Sequence, residues 1–444
     1  MPLQVRFIKN ILTLATGTGL SQLIPIVVSP ILTRLYSPEQ FGIFALYLSL
    51  STTLAIIATG RYELAIVLPK LNANSIHLSI LAVFLASIFC LTLIFAYMIM
   101  KSIISNENNE WISWFLYVPF GVFLLSLVQI LSYLLNRLER YQVMAKVKVV
   151  QSITAALVSI IFAVFLPWDY GLIIGSILGM LASVMLSSFF ILKEVEVSRF
   201  NVNRVYYLSR VYKQFPKFGI VSGVSNTLSS NSPIFIFSHL SLSAASGYFS
   251  LANRMLMIPL GVIGGAVSQV FLKEASTNKD NKENIACLAK RTVRQLFYIG
   301  VIPSAIIVSF GDVIFSFVFG SEWKEAGVYA SILSPLLFFI FIASPTNSIF
   351  IAYEKQKEAL NFNILLLLVR VLSLVTVFYF GGGAIELVLW YVVVSLLIWV
   401  SQVQYVFKVM NSSAIFLIRE AFFYIALSCV LLLLRGLILN GFTI

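Results

Sequence analysis

From about residue 8 to residue 407 the chain is a succession of apolar runs, each some twenty residues long and closed by a short polar cluster. A helix needs about 20 residues to cross the ~30 Å hydrocarbon core of a bilayer, where every backbone polar group must bond within its own segment. Runs of this length and number point to one fold class, an all-α integral membrane protein. We place twelve transmembrane helices at about 8–33, 41–68, 76–100, 114–136, 147–166, 170–192, 215–239, 247–272, 296–319, 329–352, 361–380 and 384–407. A thirteenth run, about 421–439, carries Arg435 and can either span or lie at the interface.

Only 11% of the 444 residues are charged, against roughly 25% in a soluble domain. A soluble enzyme, a coiled coil and a disordered chain are thereby excluded. The net charge of +12 would suggest nucleic acid, but its distribution does not. Arg34, Lys101 and Lys324 fall in the loops on one side, and Arg254, Arg370 and Arg435 fall within apolar runs; the remaining 24 of the 30 basic residues lie on the other side. The positive-inside bias assigns that side, with the N-terminus, to the cytoplasm. The basic excess therefore reports topology first, and contact with anionic membrane lipids second.

Arg6 and Lys9 precede the first run, which is too long for a signal peptide and reads as the first helix. The outer loops are short and leave no room for a catalytic domain, while Trp111, Trp114, Trp168, Trp323 and Tyr36 suit an outer interfacial belt. The inner segment Lys193–Gln214 mixes Val202, Tyr206, Leu208 and Val211 with basic residues. That composition fits either an in-plane amphipathic helix or a solvated linker.

Three separated cysteines, Cys90, Cys287 and Cys429, and two histidines, His77 and His239, offer no metal-ligand spacing. There is no paired-carboxylate or Cys/His constellation, no P-loop and no Gly-rich nucleotide fingerprint. The expectation is a protein that is not an enzyme and has no metal or cofactor, so transport would run on a gradient or on substrate supply.

The chain also repeats itself. Gly19-Leu20-Ser21-Gln22, Ser29-Pro30 and Gly42-Ile43-Phe44 recur as Gly223-Val224-Ser225-Asn226, Ser232-Pro233 and Gly247-Tyr248-Phe249, at offsets of 204, 203 and 205. Six helices per half give both halves one orientation, an arrangement that builds a central cavity between two bundles. The expected organisation is an N-terminal six-helix lobe at 1–192, a cytoplasmic linker at 193–214, a second lobe at 215–410 and an extra hydrophobic segment at 411–444. Pro25, Pro30, Pro216 and Pro233 interrupt the first and seventh helices at related places, and proline loosens the turn before it. Hinges are the functional reading; ordinary tolerance of proline in membrane helices is the plain one.

An arginine at mid-bilayer costs about 2.5–3.5 kcal/mol on insertion scales, so one that persists there faces a cavity, a partner or the bundle interior. Arg254 lies seven residues into the eighth run with no acidic residue in reach along that helix. It suits a site for an anion such as phosphate, or it snorkels to the outer interface. Arg370, in the eleventh run, is a second cavity cation or a partner of Glu386. Arg61 and Glu63 interrupt the second run near the inner interface, as an inner gate or a structural ion pair. Being two apart they share no helix face, so each is expected to pair elsewhere. Gln22, Asn226 and Asn253 are neutral polar groups within spans that could meet sugar hydroxyls or bond between helices.

Thr16 to Leu68, with Pro30-Ile31-Leu32-Thr33-Arg34-Leu35-Tyr36, Phe41-Gly42 and Gly60-Arg61-Tyr62-Glu63-Leu64-Ala65, resembles the start of Wzx-type oligosaccharide flippases, the polysaccharide transporter branch of the MOP superfamily. Gln214-Phe215-Pro216-Lys217-Phe218, Gly247 through Asn253-Arg254 to Pro259, Gln269-Val270-Phe271, and Phe319-Gly320 through Trp323 and Ser344-Pro345 to Lys355-Gln356-Lys357 extend the resemblance to about Arg370. It implies a MATE/MOP-like fold and a multi-pass protein of the bacterial inner membrane. It further implies a flippase that moves undecaprenyl-pyrophosphate-linked repeat units of O antigen, capsule or exopolysaccharide to the periplasmic leaflet by alternating access, working beside a polymerase and chain-length proteins. The stretch Ala252 to Pro259 also resembles the eighth helix of lipid II flippases, which implies a cavity-lining role for Arg254. Those relatives have further arginines in the first helix, where this chain has Gln22 and Ser29.

Two other functions stand beside this one. A MATE-like multidrug or cation antiporter would prefer acidic cavity residues, whereas the candidates here are basic. A membrane polysaccharide polymerase or ligase would want large outer loops, which the sequence lacks.

Overall fold

The computed structural model describes residues 23–69, 71–103, 110–166, 168–194, 201–277, 281–353 and 355–441. Among these residues the only regular structure is helical. In chain order the helices are α1 (Leu23–Leu35), α2 (Pro38–Ala58), α3 (Asn72–Ile103), α4 (Glu110–Phe115), α5 (Tyr117–Arg137), α6 (Tyr141–Phe165), α7 (Gly171–Glu194) and α8 (Val202–Val211). They continue as α9 (Ile220–His239), α10 (Ser243–Pro259), α11 (Gly265–Thr277), α12 (Lys282–Phe319), α13 (Lys324–Ala343), α14 (Ser348–Ala352), α15 (Gln356–Tyr379), α16 (Ala384–Val409) and α17 (Phe416–Gly441). Ten helical segments of the described residues are long and apolar enough to cross a membrane.

Several apolar runs that read as single helices are broken. The second ends as α at Ala58, because Gly60 and Arg61 both adopt left-handed backbone near φ 60°, and it resumes as a 3₁₀ turn, Tyr62–Val67. The eighth widens into a π turn, Leu260–Gly264, between α10 and α11; the seventh opens with another, Phe215–Gly219, before α9. Proline and glycine at both places explain the breaks, since Pro216 and Pro259 bring no N–H and the glycines tolerate widened geometry.

The chain divides into two compact units. The first holds the described residues up to Tyr36 together with Ile43–Asn231. In it α6 and α7 form a close hairpin: Gly175 and Gly179, one turn apart, let α7 approach so near that an added methyl would meet the Ala155 and Gln151 carbonyl oxygens at 2.7 Å. Such small-residue stripes replace the hydrophobic effect as the means of helix association in lipid. The 3₁₀ turn packs Tyr62, Ala65 and Ile66 against Leu78, Ala82, Ile130 and Leu134 of α3 and α5. The linker contains α8, capped by the Asn201 side chain, which accepts from Arg204 N.

The second unit holds Ser37–Gly42 and the described residues from Ser232 onward. Its axis is α12, whose 38 residues extend ~57 Å at 1.5 Å per residue. The last helix, α17, lies along it in parallel. Arg294 Nε meets Glu420 Oε1 at 3.0 Å, Ser304 Oγ meets the Tyr424 hydroxyl at 2.9 Å, and Arg435 Nη2 meets Asp312 Oδ2 at 2.7 Å. From residue 294 to residue 312 is ~27 Å of helix, so α17 follows α12 through about a bilayer core and does not lie across its end.

Aromatic placement corrects the expected outer belt. Trp323, Trp114 and Tyr36 are buried, with Tyr36 donating to the Ser159 carbonyl at 2.7 Å, whereas Trp168 is exposed. Trp323 packs edge-on against Phe41 and Tyr248. Rings at helix crossings lose both water and lipid, and only contacts between elements determine which rings those are.

Candidate functional site

Arg254 projects from the middle of α10, and its side chain is exposed. Among the described residues it makes no hydrogen bond or ion pair. Asn253 beside it is half-buried, and the π turn at Leu260–Gly264 follows within two helical turns. From Val197 to Lys273 the chain has no Asp or Glu, so no acid neighbours Arg254 along its own helix. On α9, Asn226 and Ser230 are exposed and Ser222 half-buried at four-residue spacing, which makes a polar stripe suited to hydroxyl groups. Gln22 lies outside the described residues.

Arg370 sits differently. It is buried on α15, where its Nε donates to Ser395 Oγ at 2.7 Å and its guanidinium stacks 4.4 Å from the Tyr391 ring centre. Ser395 in turn donates to the Tyr391 carbonyl. In this conformation the cation joins α15 to α16.

Arg61 and Glu63 do meet, contrary to the expectation from helix geometry. The reason is local: the segment is not α-helical there, and the left-handed backbone at Arg61 swings its side chain back over Glu63, giving an Nη1 to Oε1 distance of 3.5 Å. Arg61 Nε also donates to the Gly219 carbonyl in the π turn at 3.4 Å. Gly223 leaves the space the guanidinium occupies; a methyl there would stand 2.7 Å from Arg61 Cζ. Glu63 is fully buried, and its Oε2 has no hydrogen-bond partner among the described residues. Arg61 thus ties the C-terminal end of α2 to the break that opens α9.

Of the hinge candidates, Pro30 and Pro233 lie inside repeat-related helices, α1 and α9. Pro25 and Pro30 lie within α1, where Ser29 Oγ donates to the Pro25 carbonyl at 2.6 Å. Pro216 is in the π turn, and Pro233 is inside α9.

Two features escaped sequence reasoning. At the other end of α2, Gly42 lies against the Ser243 carbonyl and Gly247 against the Pro38 carbonyl, so close that neither position admits a methyl. Gly42 and Gly247 are 205 residues apart, as are Pro38 and Ser243, so the contact is symmetric in the sequence repeat. The other is Asp312 with Arg435. The α12 backbone is non-helical at Phe310, and Arg435 Nη1 donates to the Ser309 carbonyl at 2.8 Å while binding Asp312. A lone acid and a lone base in two apolar runs were the available signal, since each needs a partner at that depth.

Among the described residues each of the three buried carboxylates, Glu63, Asp312 and Glu420, has an arginine partner. No cluster among the described residues could hold a metal ion. On the second unit the exposed Arg254 can hold an anion, and on the first unit the α9 stripe can meet hydroxyls.

The family model described as "Polysaccharide biosynthesis protein" matches residues 31–328. The chain belongs to that family. No curated protein sequence is significantly similar to it. Among solved structures it is similar to the lipid II flippase MurJ in an inward closed conformation, with 15% identity, a TM-score of 0.68 and coverage of 96% of this chain and 98% of that one. An inward-facing MATE multidrug resistance transporter of the MOP superfamily matches with 13% identity and a TM-score of 0.62, over 90% of this chain and 94% of that one. A MOP superfamily transporter from Pyrococcus furiosus matches with 13% identity and a TM-score of 0.61, over 91% and 96%. At these identities the likeness establishes the fold: this member of the polysaccharide biosynthesis family has the helical architecture of MOP transporters.

Proposed function

We propose that the chain is a flippase that moves undecaprenyl-pyrophosphate-linked oligosaccharide repeat units across the bacterial inner membrane, from the cytoplasmic to the periplasmic leaflet, for O-antigen, capsule or exopolysaccharide assembly. It is not an enzyme in this reading, its N-terminus is cytoplasmic, and a polymerase and chain-length proteins take its product. The observation that carries the reading is Arg254, an exposed arginine without an acidic partner among the described residues, in a chain of the polysaccharide biosynthesis family.

A guanidinium offers a planar fork of donors to two phosphate oxygens at once. A pyrophosphate is the part of the substrate that hydrocarbon excludes most strongly, and Arg254 would replace its water. Asn253, Asn226 and the α9 serines would meet the sugars, while the prenyl chain stays in lipid. Alternating access requires contacts that close one side and then part. The Gly42 and Gly247 crossing at one end of α2 and the Arg61 tie at its other end are contacts of that kind.

The rival reading, a cation or drug antiporter, needs an open carboxylate for its substrate. Glu63, Asp312 and Glu420, the buried carboxylates of the described residues, are each taken by an arginine and are not open to a cation. Purified chain in vesicles tests the proposal directly: a fluorescent prenyl-pyrophosphate oligosaccharide should move between leaflets at a rate well above that in empty vesicles, and a lipophilic cation should not compete. Equal rates with and without protein, or transport of the cation alone, would reject it.

A further inference from the structure

The linker helix α8 has two unlike faces. One is docked on the first unit: Leu208 is buried, the Ser209 carbonyl accepts from the Tyr62 hydroxyl at 3.1 Å, and Arg204 Nε donates to Asn74 Oδ1 at the start of α3 at 2.6 Å. The other face is apolar and bare. Val202, Tyr206, Tyr207 and Val211 are each half to two-thirds exposed. Among them stand Arg210, 4.7 Å from the centre of the Tyr206 ring, and the exposed Lys213 and Lys217.

This helix cannot stray from the bilayer. Seven residues separate it from the end of α7 and three from the π turn that opens α9, and both neighbours are apolar helices. Apolar side chains of that size, interleaved with cations and held at the level where spans end, match a surface that is hydrocarbon below and anionic above. The same stretch has no acidic residue to satisfy those cations internally.

We propose that α8 is a bilayer-surface contact for anionic phospholipid. Arg210, Lys213 and Lys217 take the head-group phosphates, and Val202, Tyr206, Tyr207 and Val211 enter the boundary beneath them. Because Tyr212–Gln214 lead directly into the π turn whose Gly219 carbonyl Arg61 holds, lipid bound at α8 also steadies that turn. Lipid bound at α8 would act in this way whatever the transported substrate.

The test uses the full chain with the exposed Cys287 and Cys429 replaced by serine, and Tyr207→Cys carrying an environment-sensitive fluorophore. In vesicles containing phosphatidylglycerol, brominated lipid should quench the fluorophore at least about twofold more than in phosphatidylcholine alone. The triple variant Arg210→Gln, Lys213→Gln, Lys217→Gln should abolish the difference. Amide exchange over Phe215–Gly219 should slow in the anionic vesicles and not in the triple variant. Quenching indifferent to lipid charge, or exchange unchanged when quenching responds, overturns the proposal.

Discussion

Gly42 and Gly247, 205 positions apart in the chain, lie each against a backbone carbonyl of the other's helix, and neither has room for a methyl group. Helices that meet through bare backbone gain dispersion over a small area and can separate without disengaging side chains. Replacing either glycine by valine should therefore wedge this crossing open. We expect Gly42→Val and Gly247→Val to insert at near-normal levels, to lose about 1–3 kcal/mol of stability, and to lose transport; normal flipping by both would show that the crossing has no part in the cycle.

Arg254→Ala should reduce surface polysaccharide at least about tenfold with normal protein in the membrane, since one charge-assisted contact contributes about 1.5–3 kcal/mol. Arg254→Lys should retain part of the activity, as lysine keeps the charge but not the two-point fork. Immunoblots of membranes beside polysaccharide gels decide it, and full activity of the alanine variant at normal expression would sink the assigned role.

The Asp312 and Arg435 pair predicts a particular inequality. Removing one partner, as in Arg435→Ala, leaves a buried carboxylate alone and should cost about 3–5 kcal/mol; replacing both by apolar residues of similar size, Asp312→Leu with Arg435→Met, should cost much less. Thermal unfolding in detergent should order wild type, double variant and single variant from high to low. A single variant no worse than the double would mean that the pair is not closed in the membrane.

Arg61 is held in left-handed backbone, which costs an L-residue roughly 1–2 kcal/mol, and its contacts with Glu63 and Gly219 hold it there. Arg61→Ala should be more harmful than Arg61→Ala combined with Glu63→Gln, because the amide carries no stranded charge. Gly223→Ala should mimic the loss of the tie by filling the space of the guanidinium. Amide exchange at Phe215–Gly219 should rise in Arg61→Ala and Gly223→Ala alike.

Since α17 runs parallel to α12, a reporter after Ile444 should lie on the face opposite to one placed within 193–214. Reporter fusions active on the same side would contradict both the helix pairing and the charge-based orientation.

Much of the fold was legible before any coordinates. Nine of the twelve expected spans, and the thirteenth run, are among the ten segments of the described residues that are long and apolar enough to cross a membrane, because lipid demands length and apolarity from a segment on its own, with no reference to its neighbours. The breaks were harder. Gly60-Arg61 and Pro216 stood out as interruptions, but Leu260–Gly264 did not, since a π turn in an apolar stretch changes no hydropathy. The candidate site was legible only in part. Arg254 stood out as an arginine without an acid near it in sequence, and it stays without a partner among the described residues.

Arg370 and Arg435 looked like Arg254 in the sequence, as lone cations in apolar runs. What separates the three is which face each helix turns toward another: Ser395 and Tyr391 meet Arg370, Asp312 and a freed Ser309 carbonyl meet Arg435, and nothing described meets Arg254. By itself the sequence determined the helical membrane class and the positions of the spans, because those follow from one-dimensional runs of apolarity. Only the tertiary structure decided which charges are neutralised and which glycines touch, because both depend on atoms from different helices, 21 to 205 residues apart, arriving within a few ångströms.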